Sequence, residues 1–166
     1  MHKMLRVFCA TAWELEGERR AFHEAIGEFN ETEAMKHGLL YVPVSLINIR
    51  DKRPYQYVVE ENIGACRAYI LALCDGSWGP PERNFERDLM LAAQQSANPD
   101  FPMRDVTLLY REPSSPPKPL PADVTVSPFS TTEDFVRQFR ALMSTWLAAD
   151  LAVTESPAPA GASPAL

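Results

Sequence analysis

Two carboxylates near the middle of the chain, Glu86 and Asp88, have the type and position of groups that do chemistry. They lie in the first turn of a predicted helix, directly after an irregular loop at 75–84 that contains two glycines and two prolines. The loop follows an apolar run, 68–74, which predicts a strand buried on both faces. Because ligands bind beyond the carboxyl ends of strands in an open α/β sheet, this unit predicts one half of a site.

The two carboxylates also have a simpler interpretation. Acidic side chains in the first turn of a helix are stabilised by the helix dipole without any ligand. On a helix, residues two apart point about 200° away from each other, so Glu86 and Asp88 are not expected to enter the same pocket. A catalytic carboxylate and a solvated first turn therefore both stay open.

The other half of the predicted site follows the first strand, 5–10. Thr11 and Glu14 match a capping box, which predicts a helix with Thr11 at its N-cap. The helix start around Thr11, Ala12 and Trp13 then offers free N–H groups and a positive dipole end, which suit a phosphate or a ribose hydroxyl. The segment has no glycine-rich fingerprint, so a Rossmann dinucleotide site is not favoured.

Several neighbouring residues are candidates with alternatives left open. Asp75, Trp78 and Gly79 lie in the loop after the buried strand, where Trp78 either lines a pocket or closes the loop over the core. Arg19 falls on the apolar stripe of the first helix. A buried ion pair with Asp75 or Glu61 is preferred there over a ligand contact.

Composition excludes several classes of protein. A net charge of −6 without a lysine or arginine cluster argues against a nucleic-acid groove. The apolar runs are too short to span a bilayer, and the first residues enter a strand rather than a signal peptide, so a cytoplasmic protein is expected. The three cysteines lack metal-ligand spacing, and no metal site is expected.

Alternating strand and helix patterns predict an α/β fold. The predicted strands are 5–10, 39–49, 68–74, 106–110 and 124–126, and the predicted helices follow 11–14, cover 55–67 and 85–96, and follow a second capping box at 130–133. Pro43 places the second strand at a sheet edge. We expect a flavodoxin-like three-layer sandwich with a mostly parallel five-stranded sheet, order 2-1-3-4-5, as one domain over 1–153 with a disordered tail at 154–166.

Four segments together resemble a bacterial family of TIR-like domains of unknown function, which are often fused to STAND-type NTPases. Segment 7–22 (VFCATAWELEGERRAF) is similar to the family's opening VFISST…ERR, and 62–70 (NIGACRAYI) is similar to its I-x-x-CDxYI. Segments 78–79 (WG) and 86–92 (ERDLMLA) resemble its RYG and E-x-E-[YF]-x-x-A. The resemblance covers about 5–112 and keeps the order of the motifs.

The resemblance implies a place in the superfamily of TIR domains and nucleoside deoxyribosyltransferases, whose members cleave N-glycosidic bonds with a glutamate after the third strand. Asp88 stands at that position, one methylene shorter, with Glu86 nearby. Ala10 and Ala12 stand where the family has serines. The implied catalytic residues are Asp88 and Glu86, and the implied ligand-binding residues are Thr11, Ala12, Trp13, Asp75, Trp78 and Gly79.

Three functions follow from the resemblance. The first is a signalling or defence module that binds protein partners, a second copy of the chain included, and a nucleotide-type ligand. The second is an NAD or nucleoside N-glycosidase, which requires no cofactor beyond its NAD or nucleoside ligand. The third is an inert interaction scaffold.

Overall fold

The structure is a computed structural model that describes residues 1–45 and 54–155. Its strands are β1 (Lys3–Thr11), β2 (Leu39–Val44), β3 (Ala68–Leu73), β4 (Asp105–Arg111) and β5 (Thr125–Phe129). Its α-helices are α1 (Glu16–Phe29), α2 (Tyr55–Gly64), α3 (Phe85–Ser96) and α4 (Thr132–Glu155). The predicted continuation of the second strand over 46–49 lies outside the described residues.

All five strands are parallel, and their order in the sheet is β2-β1-β3-β4-β5. Helices α1 and α4 pack against each other, and so do α2 and α3, which gives the predicted three-layer flavodoxin-like sandwich. Both edge strands carry a proline, Pro43 in β2 and Pro128 in β5. Since proline cannot donate to a ladder, both edges resist pairing with another strand. The predicted edge position of Pro43 is confirmed.

The core is centred on β3, as its unbroken apolar run predicts. Every residue of β3 is at most 1% exposed, because helices cover both faces and strands flank both sides. Apolar residues spaced along the first and last helices are also buried: Leu15, Phe22, Ala25, Ile26 and Phe29 before and along α1, and Phe135, Phe139 and Trp146 along α4, where Leu142 is partly buried. Burying each large side chain stabilises the fold by roughly 1.5–3 kcal/mol.

The first predicted capping box is wrong. Thr11 is the last residue of β1, and α1 begins five residues later at Glu16, with Leu15 at the N-cap position. Thr11 pairs with Ala72 of β3, and the Ala12 N–H then donates to the Ala72 carbonyl at 2.9 Å. Pairing with the central strand therefore outweighs the local capping preference at Thr11.

The second capping box is present, shifted by one residue. Thr131 Oγ1 accepts the backbone N–H of Asp134 at 3.1 Å, and the Asp134 carboxylate accepts the N–H of Ser130 at 3.0 Å. Helix α4 therefore begins at Thr132 and continues to Glu155, two residues into the predicted tail. The rest of that tail, 156–166, lies outside the described residues.

The polar segment 31–37 is helical, although its composition is typical of a turn. A π-helical turn, Asn30–Ala34, and a short 3-10 turn, Met35–His37, continue directly from α1. The buried Asn30 amide donates to the Tyr41 carbonyl at 2.8 Å and accepts the Tyr41 N–H at 2.9 Å. These two hydrogen bonds to β2 explain why helical geometry persists in a polar segment. They also fix the position of β2 beside β1.

A charged network closes the amino end of the sheet. Arg67, which precedes β3 and is 6% exposed, donates through Nε to both carboxylate oxygens of Asp150 at 2.9 and 3.1 Å. Tyr41 Oη donates to Asp150 Oδ2 at 2.7 Å, and the Arg67 guanidinium lies 5.5 Å from the Trp146 ring centroid. The Trp146 indole in turn donates to Asp105 at the start of β4. This network connects α4 to three strands.

None of the helices in the described ranges is long and apolar enough to cross a membrane.

Candidate functional site

Two loops that are far apart in the sequence meet at the carboxyl ends of β1 and β3. The Ala12 N–H donates to the Ala72 carbonyl, and the Cys74 thiol donates to Glu14 Oε2 at 3.5 Å. The turn after β1 is therefore in contact with the chain that leaves β3. This is the switch point of a 2-1-3-4-5 sheet, and the predicted meeting of the two loops is confirmed.

A small crevice lies at this switch point. Nine residues line it: Phe8, Cys9, Ala10, Thr11, Arg19, Ser45, Tyr55, Arg83 and Phe85. Its volume is about 30 Å³, enough for a water molecule or part of a small group. The lining includes two arginines and two residues with aliphatic hydroxyls, and no aspartate or glutamate belongs to it among the described residues.

Arg19 reaches the crevice from the first turn of α1. No ion pair joins it to another residue of 1–45 or 54–155, so the expected pairing with Asp75 or Glu61 is wrong. Asp75 instead accepts the N–H and the hydroxyl of Ser77 at 3.0 and 2.8 Å, which lowers the pKa of Asp75. The Asp75 carboxylate is therefore used within its own loop, and Arg19 faces the crevice.

Arg83 reaches the crevice from the loop before α3. Its Nη1 donates to Tyr55 Oη at 2.6 Å, and its guanidinium carbon lies 5.4 Å from the Tyr55 ring centroid. Gly79 shapes this loop, since it has a φ of +80° and an added Cβ would lie 2.8 Å from the Phe85 ring. The glycine therefore allows Phe85 to close the crevice while Arg83 lies at its wall.

Ser45 lines the crevice and contacts His23, which lies outside the lining. The imidazole Nε2 and Ser45 Oγ lie 2.8 Å apart, which connects α1 to the residue that directly follows β2. Burial, and then the positive charge of Arg19, lower the pKa of His23. Sequence reasoning missed this pair because Ser45 falls inside the predicted strand 39–49 and His23 is isolated in the sequence.

The carboxylate Asp88 is buried, but it does not line the crevice. It is 3% exposed, and its Oδ1 accepts Gln56 Nε2 of α2 at 3.1 Å. Burial raises the pKa of Asp88 to about 6. Glu86 lies on another face of α3 and is partly exposed, so the two predicted catalytic residues do not come together.

Tyr69 of β3 lies close to this carboxyl group. Its side chain is fully buried, and its hydroxyl has no hydrogen-bond partner among the described residues. Burial, and then the nearby Asp88 carboxyl, raise the pKa of Tyr69. Asp88 therefore lies between α2, α3 and β3, outside the lining of the crevice.

The remaining predicted binding residues lie around the crevice in different environments. Thr11 is in its lining, and Ala12 is buried beside it. Trp13 is 73% exposed on the turn that follows. Trp78 is partly buried and packs against the core. The predicted helix start at these residues is wrong, since α1 begins at Glu16, so no helix N-terminus lies at Thr11–Trp13.

Metal and thiol chemistry have little support at this site. The described part of the chain holds no cluster of three histidine, cysteine or acidic side chains that would suit a metal ion. Burial raises the pKa of the crevice cysteine, Cys9, to about 12, so the thiol stays protonated near neutral pH. What the arrangement offers is cationic and hydroxyl donors for an anion.

Comparison of the sequence with known protein-family models gives no match, and comparison with curated proteins also gives none. The function is therefore argued from the crevice itself.

Proposed function

We propose that this chain is a TIR-like module that binds a nucleotide-type ligand at the crevice and acts in signalling or defence through protein partners. One observation carries the ligand proposal: Arg19 and Arg83 line the same small space, with no carboxylate in its described lining. The signalling role rests on the resemblance of segments 7–22, 62–70, 78–79 and 86–92 to the TIR-like family.

The charge of the crevice contrasts with the charge of the whole chain. The protein carries a net charge of −6, yet two guanidinium groups share this space. Two cations that face a small volume repel each other, and a bound anion relieves that repulsion. A nucleotide supplies such an anion, and the switch point is where ligands bind in sheets of this kind.

The size of the crevice limits what enters it. About 30 Å³ does not hold a nucleobase, so only a small anionic part of the ligand fits between the arginines. The exposed indole of Trp13 follows the crevice residue Thr11 by two positions and offers an apolar surface on which a base can stack. The proposed ligand therefore lies across the crevice mouth.

Calorimetric titration tests the proposal with a panel of NAD⁺, ribonucleotides and ribonucleosides. We expect at least one nucleotide-type compound to bind the wild type, and Arg83→Glu to abolish the binding because it reverses the charge of the crevice wall. Arg137→Glu is the matched control, since Arg137 is exposed on α4 outside the crevice. Absence of binding by the whole panel would contradict the proposal and favour the inert scaffold.

An N-glycosidase is the second candidate function, and the environment of Asp88 favours it. A buried carboxyl whose pKa is raised to about 6 can change protonation state near neutral pH, as a group that assists glycosidic cleavage must. It would stabilise or attack the oxocarbenium-like ribosyl centre. Because Asp88 is buried and bonded to Gln56, a ribosyl group reaches it only if Gln56 moves aside.

Release of free base from NAD⁺ and from nucleosides measures this activity. We expect Asp88→Asn to remove it at unchanged folding, because the amide cannot supply a negative charge. Glu86→Gln is the matched control two residues away, and we expect it to keep the activity because Glu86 lies on another face of α3. Turnover that Asp88→Asn retains would reject the assignment.

A further inference from the structure

We infer that the crevice between Arg19 and Arg83 is a phosphate subsite, so that the ligand is a nucleoside phosphate rather than a nucleoside. This inference rests on the proposed nucleotide-type ligand and specifies its chemical class. Two observations support it: hydrogen-bond donors line the crevice, and they make few hydrogen bonds or ion pairs with other described residues.

Arg19 differs from two other arginines, Arg20 and Arg67, in being available to a ligand. Its neighbour in the sequence, Arg20, pairs with Glu16 at 3.6 Å, and Arg67 is bonded to Asp150 at 2.9 Å. Arg19 has no carboxylate partner among the described residues, and it is only partly exposed. A guanidinium held at a crevice wall without a counter-ion is suited to pair with a bound anion.

Among the described residues, one side-chain hydrogen bond orients Arg83 and leaves most of its donors unused. Its Nη1 donates to Tyr55 Oη, and a guanidinium carries five N–H donors in a fixed plane. The contact with Tyr55 therefore fixes the plane of the group and leaves other N–H groups for a ligand. This geometry suits a phosphate, whose oxygens accept two parallel bonds from one guanidinium.

Two hydroxyls complete the donor set. Thr11 and Ser45 line the crevice from the ends of β1 and β2. His23 holds the Ser45 hydroxyl at 2.8 Å and so acts as a positioning residue. Guanidinium and hydroxyl donors without an acid are typical of phosphate recognition, whereas recognition of ribose hydroxyls usually needs acceptors such as carboxylates.

The charge of the ligand decides between the two classes. A phosphomonoester carries close to two negative charges near neutral pH and matches the two guanidiniums, whereas a nucleoside is neutral and leaves them unpaired. Burial of one phosphate oxygen between the arginines needs little volume, which agrees with a crevice of about 30 Å³. The phosphate is therefore expected to contribute most of the affinity.

The test compares adenosine, adenosine 5′-monophosphate and inorganic phosphate by calorimetry on the full chain. We expect the monophosphate to bind about ten- to a hundred-fold tighter than adenosine, the range for one or two charge-assisted contacts. Arg19→Gln and Arg83→Gln should each reduce this ratio towards one. Arg20→Gln should leave it unchanged, because Arg20 is exposed and outside the crevice.

Further measurements show where phosphate binds and whether each variant is folded, independently of the affinity. Inorganic phosphate should shift the imidazole resonances of His23, which contacts the crevice hydroxyl of Ser45, and should leave those of His37 in place. Arg19→Lys retains the charge and should keep part of the phosphate preference. Thermal unfolding of each variant shows that the fold is intact.

The outcomes separate this inference from the proposed function. Equal affinity for adenosine and its monophosphate would overturn the phosphate subsite and leave nucleotide-type binding standing. Binding by neither compound, together with no binding by the wider panel, would overturn both. An equal loss of the phosphate preference in Arg20→Gln would show general attraction to positive charge and would also overturn the subsite.

Discussion

Arginines lie at both ends of the sheet, and their surroundings differ. At the amino end, Arg67 is buried against Trp146 and bonded to Asp150, which also accepts the Tyr41 hydroxyl. At the carboxyl end, Arg19 and Arg83 share a crevice without a carboxylate among its described lining residues. A buried charge that is paired within the protein contributes to the fold. A charge without a partner in the protein is available to bind a ligand.

Burial decides how far each arginine depends on a carboxylate partner to compensate its charge. Arg67 is 6% exposed, so its charge depends on Asp150 for compensation that water cannot supply. Its Nη1 is buried without a partner among the described residues, which makes the Asp150 contact more important still. Arg19 is partly exposed, so solvent can reach its charge. Predictions that compare the two ends test this difference.

The largest expected effect comes from making the same substitution at both ends. Arg67→Gln leaves the Asp150 carboxylate without its cation and should lower the free energy of unfolding by about 3–5 kcal/mol. Arg19→Gln should change it by less than about 0.5 kcal/mol, because no ion pair with a described residue is lost. Urea unfolding of both variants measures the difference, and equal losses would remove the distinction between the two ends.

The next effect concerns the shape of the carboxyl-end crevice. Gly79→Ala places a Cβ 2.8 Å from the Phe85 ring at a φ of +80°, and should destabilise the protein by about 1–3 kcal/mol. Gly27→Ala is the matched control, because its Cβ has open space within α1 and should stabilise the helix by about 0.5–1 kcal/mol. Thermal unfolding compares them; a neutral Gly79→Ala would mean that the loop adapts without cost.

A pH-dependent effect should follow from Asp88. Its pKa is raised from 3.8 to about 6 in the folded protein, so between these values the folded state binds more protons than the unfolded state. The free energy of unfolding should therefore fall as pH rises from 4 to 6, by about 1–2 kcal/mol after allowance for solvent screening. In Asp88→Asn this decrease should disappear.

Urea unfolding at several pH values measures the Asp88 effect. Glu86→Gln should keep the wild-type decrease in stability, since Glu86 is partly exposed on another face of α3. If Asp88→Asn unfolds with the same pH dependence as the wild type, then the buried carboxyl is not its source.

The smallest expected difference in stability is the one between the variants that remove two tyrosine hydroxyls. Tyr41→Phe removes a hydrogen bond to the partly buried Asp150 carboxylate at the amino end, and should cost about 1.5–3 kcal/mol. Tyr55→Phe removes only the acceptor for Arg83 at the partly open crevice, and should cost about 0.5–1 kcal/mol. Chemical denaturation should therefore separate the two variants by about 1 kcal/mol, and the reverse order would contradict the comparison.

Much of the fold was predictable because it depends on local patterns. The unbroken apolar run of β3, the stripe along α4 and the bounds of α3 follow from hydrophobic periodicity alone. Pro43 indicated an edge strand, since a proline has no N–H to donate to a neighbouring strand. Five strands that alternate with helices, with the second strand at an edge, then favoured the order 2-1-3-4-5.

The candidate site was less predictable because its residues come from separate elements. Arg19, Ser45 and Arg83 are each ordinary in sequence, and none forms a motif with its neighbours. The carboxylates that did stand out behave differently from one another, since Asp88 is buried against Gln56 and Glu86 is partly exposed. Thr11 matched a capping box, but pairing with Ala72 extended β1 through it.

The amino-acid sequence by itself determined where most strands and helices lie, because hydrophobic periodicity and proline act over a few residues. Only the tertiary structure decided which charges are neutralised and which are not. Arg67 and Asp150 are 83 residues apart, and Arg19 and Arg83 are 64 apart, yet each pair meets at one end of the sheet. Electrostatic energy depends on distance and burial in space, and the order of residues along the chain does not contain either.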